Sequence, residues 1–114
     1  MPTVIVTTNR AKAASPELLP ALSRTVAEAT GKDERWVMTS LVRSEAMTYG
    51  GEDVPAAFVR VVSIGGFSDE AAGAVVAGVT ARVSASLGVP PSHVYVELSA
   101  ASAPRFGCNC EPFG

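Results

Sequence analysis

Pro2 follows Met1 and leads directly into a strand-like run, Thr3-Val4-Ile5-Val6-Thr7-Thr8. If Met1 is trimmed, as a small second residue usually allows, residue 2 becomes a free secondary amine on a rigid ring, fixed by the strand behind it. Such an amine is a ready base. Burial in an apolar pocket disfavours its protonated form, and a second cation nearby disfavours it further, so its pKa falls toward neutrality. Proton transfer from carbon needs a base poised near the working pH. Proline at a strand's first position also forfeits no ladder bond, so Pro2 suits a plain strand start as well.

The other reactive side chains form no second constellation. Cys108 and Cys110 make a C-x-C, a spacing poor for an intrachain bridge and two ligands short of a zinc site, so reduced thiols are expected. His93, the one histidine, has no Ser or Cys partner in a recognisable motif and reads as a surface turn residue. Gly50-Gly51 and Gly65-Gly66 lack the spacing of phosphate-binding loops and read as turns.

With 114 residues the chain fits one domain, residues 1–114, and its 47% hydrophobic content supports a core without a disulfide scaffold. A net charge of −2 with no basic cluster argues against nucleic acid and against a polybasic membrane patch. The start carries no positive segment ahead of a long apolar stretch, and no run is long enough to span a bilayer, which places the chain in the cytoplasm.

Periodicity predicts a strand over 3–8, a helix near 16–30 and a strand near 36–43, and the order then repeats with Ala57 to Ile64, about 69–87, and His93 to Ser99. The helix exits match: Thr30-Gly31 to Trp36-Val37 parallels Leu87-Gly88 to His93-Val94, with the same six-residue step from Gly to Val. An internal duplication, about 2–50 and 55–114, is the simplest account. Ser15 is expected to cap the first helix with Pro16 at its first position, and Leu18, Leu22, Val26 and Ala29 make its apolar face before Gly31 ends it. Ser68 caps the second helix, Asp69 and Glu70 suit its dipole, and Ala72, Val75, Val76, Val79, Val83 and Leu87 form its stripe up to Gly88.

The fold class is therefore α+β, or α/β: parallel strands within each β-α-β unit, and both helices on one side of a four-stranded sheet. The strands are apolar on both faces, since Ala57, Val59 and Val61 alternate with Phe58, Val62 and Ile64, and Val37 and Leu41 with Met38 and Val42. Helices cover one face, so other copies of the chain are expected to cover the second. Arg60 in such a strand suits a surface or interface ion pair.

These segments together resemble the macrophage migration inhibitory factor family of the tautomerase superfamily. The residues that carry the likeness are Met1-Pro2 with Thr8-Asn9, Ala29-Thr30-Gly31-Lys32, Met47-Thr48-Tyr49-Gly50-Gly51, Ser63-Ile64-Gly65, Val94-Tyr95 and Phe113, nearly end to end. The resemblance implies a homotrimer of duplicated β-α-β protomers, with three sheets wrapped into a central barrel and active sites at subunit boundaries. It also implies keto-enol tautomerisation of arylpyruvate-like 2-keto acids without metal or cofactor, as in a phenylpyruvate tautomerase-like isomerase. Pro2 is then the base, Lys32 and the Ile64 backbone N–H hold the substrate's oxygens, and Tyr95 reaches the neighbouring protomer's site as a donor. An ammonium at Lys32 would stabilise a forming enolate and help keep the proline amine neutral. Pseudo-two-fold symmetry makes the first and third strands antiparallel neighbours, which brings Ile64 near Pro2.

Tyr95, Glu97 and Ser99 share the polar face of the last strand. Glu97 stands where well-known members have asparagine, and its carboxylate would repel an anionic substrate unless Lys32 or Arg60 neutralises it. Trp36, Phe106 and Phe113 are candidates for a wall that holds a substrate ring. The tail Gly107-Cys108-Asn109-Cys110-Glu111-Pro112 departs from the family, with cysteine where tryptophan is common, and Ala56-Ala57-Phe58-Val59 replaces the family's C-x-x-C. That tail and Glu97 motivate an alternative, a non-catalytic cytokine-like signalling or interaction trimer, with unconventional secretion open to it. A further alternative is a hydratase, dehalogenase or decarboxylase of unsaturated acids, for which Arg10 and Arg60 are the extra arginines at hand.

Overall fold

The computed structural model describes residues Met1–Gly114. Four strands, β1 (Thr3–Thr8), β2 (Met38–Arg43), β3 (Ala57–Ile64) and β4 (Val94–Ala101), form one sheet in the order β2-β1-β3-β4, and two helices, α1 (Leu18–Thr30) and α2 (Asp69–Leu87), connect them. β1 runs parallel to β2 and β3 parallel to β4, while β1 and β3 are antiparallel with Thr3 opposite Val62 and Thr8 opposite Ala57. This is the duplicated β-α-β unit that the sequence repeat predicts. No helix is long and apolar enough to cross a membrane.

The repeat extends to details of the helix exits. Gly31 and Gly88 both take left-handed backbone, with φ of 68° and 69°, and each leads into a three-residue 3-10 turn, Glu34–Trp36 in the first half and Pro91–His93 in the second. Trp36 and His93 therefore occupy equivalent places. Trp36 belongs to this turn rather than to β2, which starts two residues later.

Alternation decides the core. Val4, Val6, Val59 and Val61 are fully buried on the helix side of the sheet, against Leu22 and Val26 of α1 and Val75, Val79 and Val83 of α2. Full burial of each such side chain contributes about 1.5–3 kcal/mol, so this one face dominates folding. The opposite face has no cover within the protomer: Met38 is 66% exposed, Tyr95 61% and Phe58 37%.

Two expectations for the helices need correction. α1 begins at Leu18, and Ser15 is not its cap; the Ser15 N–H donates to Ser86 Oγ at 3.0 Å, and its hydroxyl faces the same atom at 3.3 Å, tying the lead-in of α1 to α2. Pro20 is tolerated because it falls in the first helical turn, where no intrahelical acceptor exists for its missing N–H. Val76 lies outside the buried stripe and is 40% exposed, because Val75, Val79 and Val83 already define the face that meets the sheet. Ser68 caps α2 as expected, accepting from the Ala71 N–H at 3.1 Å.

Candidate active site

The antiparallel register of β1 and β3 places Pro2 beyond Thr3, beside the end of β3. Pro2 is buried, and its carbonyl accepts from the Met38 N–H at 3.1 Å, which fixes the head of β1 against β2. Ile64 ends β3 on the same side. Gly65 N–H bonds to Ala101 of β4, so by strand alternation the Ile64 amide turns the other way, toward the head of β1, where it has no backbone acceptor.

Lys32 closes the group. The left-handed Gly31 turns the chain out of α1, and the half-buried Lys32 reaches across to donate from Nζ to the Ile64 carbonyl oxygen at 3.3 Å. With Met1 in place, the α-amino group of residue 1 sits in the same field, and its pKa is lowered from 8.0, first by burial and then by the Lys32 charge. A cation here is thus disfavoured twice over.

Beside this group opens a cavity of ≈ 390 Å³, lined by Met1, Trp36, Met38, Phe106, Cys108 and Phe113. The Phe106 and Phe113 rings lie 5.9 Å apart, and Phe113 N–H donates to the Phe106 carbonyl at 2.9 Å, so the tail folds back as one wall. Behind them a two-stranded ribbon pairs Gly107–Cys108 with Glu111–Pro112, turning through Asn109 and Cys110, both at positive φ. All three aromatics expected from the sequence therefore face one space. Met38 and Arg35 line it too and were not foreseen: Met38 is a strand residue with no polar group, and Arg35 is one charge in a mixed-charge turn. Arg35 holds Asp33 at 3.1 Å and lies 5.4 Å from the Trp36 ring.

Tyr95 and Glu97 are not part of this group in one protomer. Tyr95 pairs with Phe58, six residues along β3 from Ile64, so it stands about 20 Å away along the strand direction. Both project from the uncovered face. Glu97 accepts from Arg60 Nε at 2.7 Å, the two being direct register partners on β3 and β4. Arg60 is therefore committed to Glu97, and Arg10 lies past the far end of β1, so neither of the two arginines considered from the sequence stands by Pro2.

His93 also departs from expectation. It is half-buried, with its ring stacked 4.3 Å from that of Tyr49 and Nδ1 3.0 Å from the Pro55 carbonyl. Only tertiary packing brings these loops together, and no local pattern announced it. The two cysteines are free and exposed, and no group of three His, Cys, Asp or Glu side chains converges to hold a metal.

The sequence model of the family described as macrophage migration inhibitory factor (MIF) matches residues 1–114. The chain belongs to the macrophage migration inhibitory factor family. It is similar to macrophage migration inhibitory factor of Mus musculus, with 31% identity over 117 residues and 99% of each chain covered. Among solved structures, a homologue from Prochlorococcus marinus matches with a TM-score of 0.89 and 31% identity, covering 98% of this chain and 99% of that one. The Toxoplasma gondii protein matches with a TM-score of 0.87 and 29% identity, covering 97% and 99%. The fold is that of the tautomerase superfamily, to which this family belongs.

Proposed function

We propose that the chain is a cofactor-independent keto-enol tautomerase of arylpyruvate-like 2-keto acids, with Pro2 as general base once Met1 is removed. The observation that carries this reading is the convergence of Pro2, Lys32 and Ile64 beside an aromatic-walled cavity that Met1 and Thr3, the neighbours of Pro2, line. The substrate's ring packs between Trp36, Phe106 and Phe113, and its carboxylate and keto oxygen meet the Ile64 N–H and the Lys32 ammonium. The Pro2 nitrogen takes a proton from C3, and the C3–H electrons form the enol double bond as charge moves onto the keto oxygen. Lys32 stabilises that charge as it develops, which is where a fixed cation accelerates the step. The proline ammonium then gives that proton to the enolate oxygen, which yields the enol and the free amine, and the reverse path carries the proton from oxygen back to C3.

The functional unit in this reading is a homotrimer. The exposed apolar groups on the outer sheet face, Met38 and Phe58 among them, support burial by neighbouring copies. A neighbour's Tyr95 then donates to the substrate at the subunit boundary, and the Arg60 partner offsets the charge of Glu97 there. Pro2→Gly tests the base directly: enol-keto conversion of phenylpyruvate should fall to background while the trimer persists in sedimentation. Wild-type turnover by that variant refutes the mechanism.

A second reading applies to a chain that keeps Met1. Met1 itself lines the cavity, and while it remains, the residue 2 nitrogen is an amide without basicity. A chain that keeps Met1 is a non-catalytic, cytokine-like interaction trimer with a plugged site. Intact mass of the purified protein, taken with its turnover, separates the two.

A further inference from the structure

Tyr49 and His93 have no part in the proposed chemistry, yet they make the most specific side-chain arrangement outside the Pro2 site. His93 ends the 3-10 turn before β4, and its Nδ1 lies 3.0 Å from the Pro55 carbonyl, an acceptor only, so Nδ1 carries the proton. That bond sets the plane of the imidazole. Tyr49 stacks on it at 4.3 Å and 26°. The Tyr49 backbone is held as well, because its N–H and C=O both bond to Glu52, at 2.9 and 3.1 Å, across a turn in which Gly50 and Gly51 take φ of 63° and 80°. From this fixed position the Tyr49 ring meets the Tyr95 ring edge-on at 5.6 Å, beside the otherwise exposed face of β4.

We infer that Tyr49, locked by His93, is a positioning residue that aims the Tyr95 phenol out of the sheet and toward the site of the neighbouring subunit. The inference rests on the trimeric tautomerase reading and adds to it the device that orients the donor. Tyr95 is 61% exposed, so its side chain has little else in its own protomer to choose one rotamer over another. A donor that must be ordered at each encounter costs the transition state that ordering; a ring already braced does not. The Tyr49 phenol is pushed above the usual tyrosine range, chiefly by the neighbouring Tyr95 side chain, in keeping with two rings in contact.

The test is a double-mutant cycle on phenylpyruvate, measuring kcat/KM for Tyr49→Leu, Tyr95→Phe and the pair, with trimer content followed by sedimentation. Tyr49→Leu should lower kcat/KM about three- to tenfold, mostly in kcat, as expected for freeing one side chain. In the Tyr95→Phe background it should add little, because the phenol it aims is gone. Tyr49→Phe, which keeps the stacked ring, should recover part of the loss. Independent, multiplying effects overturn the inference, as does full activity of Tyr49→Leu beside a slow Tyr95→Phe, and both leave the tautomerase reading intact. Full activity of Tyr95→Phe removes Tyr95 from the site and takes this inference with it. A readout free of turnover is available because Tyr49 and Tyr95 are the only 2 tyrosines. Phenolate absorbance should place Tyr49 above the ordinary range in the wild-type trimer and return it toward that range in Tyr95→Phe. An unaltered titration means the two rings do not communicate, and overturns the proposal.

Discussion

The Lys32 ammonium donates to the Ile64 carbonyl oxygen across 3.3 Å, joining the exit of α1 to the end of β3. This contact holds a cation beside the head of β1 before any substrate arrives, and so adds to burial in lowering the pKa of an amine there. Such an amine has a folded pKa below its unfolded value. Folding therefore loses stability as pH falls from the unfolded value, 8.0 for the Met1 amine, through the folded one, and the neutral base survives below pH 8.0.

Lys32→Gln should raise the pKa of that amine, because the second of its two depressing influences is gone. Burial, the larger influence on the Met1 amine, remains in the variant. In the trimmed chain the Lys32 charge would act in the same way on the Pro2 amine, so the acid limb of the kcat/KM profile should move to higher pH. At the plateau, kcat should fall about 10²–10³-fold, the usual loss on removing one charge-stabilising donor. A pH series on the variant checks both; an acid limb that stays in place or moves down separates Lys32 from the base.

Arg60 and Glu97 make a different prediction. As an exposed pair they contribute at most about 1 kcal/mol to stability, so either truncation should leave the melting temperature nearly unchanged. Their effect on an anionic substrate is asymmetric. Arg60→Gln strips Glu97 of its counter-charge and should raise KM, whereas Glu97→Gln should leave KM equal or lower. Steady-state kinetics at low salt, where screening is weakest, decides it, and equal KM changes in both variants would place the pair outside the substrate's reach.

Much of this architecture was legible because strand alternation and glycine punctuation are local signals. Val4 and Val6 against Val59 and Val61 define one buried face, and Gly31 and Gly88 mark both helix ends. Ile64 was legible beside Pro2 because the repeat fixes the register that joins β1 and β3, whereas Lys32 joined them only through the family resemblance. What was missed depends on contacts distant in sequence: Ser15 caps nothing because Ser86, on the other helix, takes its bonds, and Tyr49 meets His93 across 44 positions of chain. Arg35 and Met38 were missed because a cavity wall is defined by the loops that fold over it, here the tail.

The helix pair offers a test of packing alone. A Cβ on Gly78 of α2 would lie 2.5 Å from Thr25 Cγ2 of α1, closer than real atoms approach. Gly78→Ala should destabilise by about 1–3 kcal/mol, since the overpacking penalty exceeds the gain in helix propensity. With Thr25→Ala in place the obstacle is absent, and the same substitution should become stabilising by up to about 1 kcal/mol. Chemical denaturation of the four proteins reads the reversal directly. A stabilising Gly78→Ala in the parent background would mean that the helices separate at no cost.

The tail ribbon links backbone strain to the cavity. Asn109 and Cys110 both adopt positive φ, 53° and 71°, as a two-residue hairpin turn requires, and glycine is the residue best suited to the second place. Cys110→Gly should relieve about 1 kcal/mol of local strain. Because Phe106 and Phe113 flank this ribbon and form one wall of the cavity, a less strained turn should hold that wall more firmly in the position seen here. The expected outcome is tighter binding of an aryl 2-keto acid, seen as a lower KM, and a stronger change in emission from Trp36, the only tryptophan and a lining residue of the same cavity. A Cys110→Ser control, which keeps the strained conformation without the thiol, should behave as wild type; if serine and glycine act alike, the sulfur and not the backbone governs the wall.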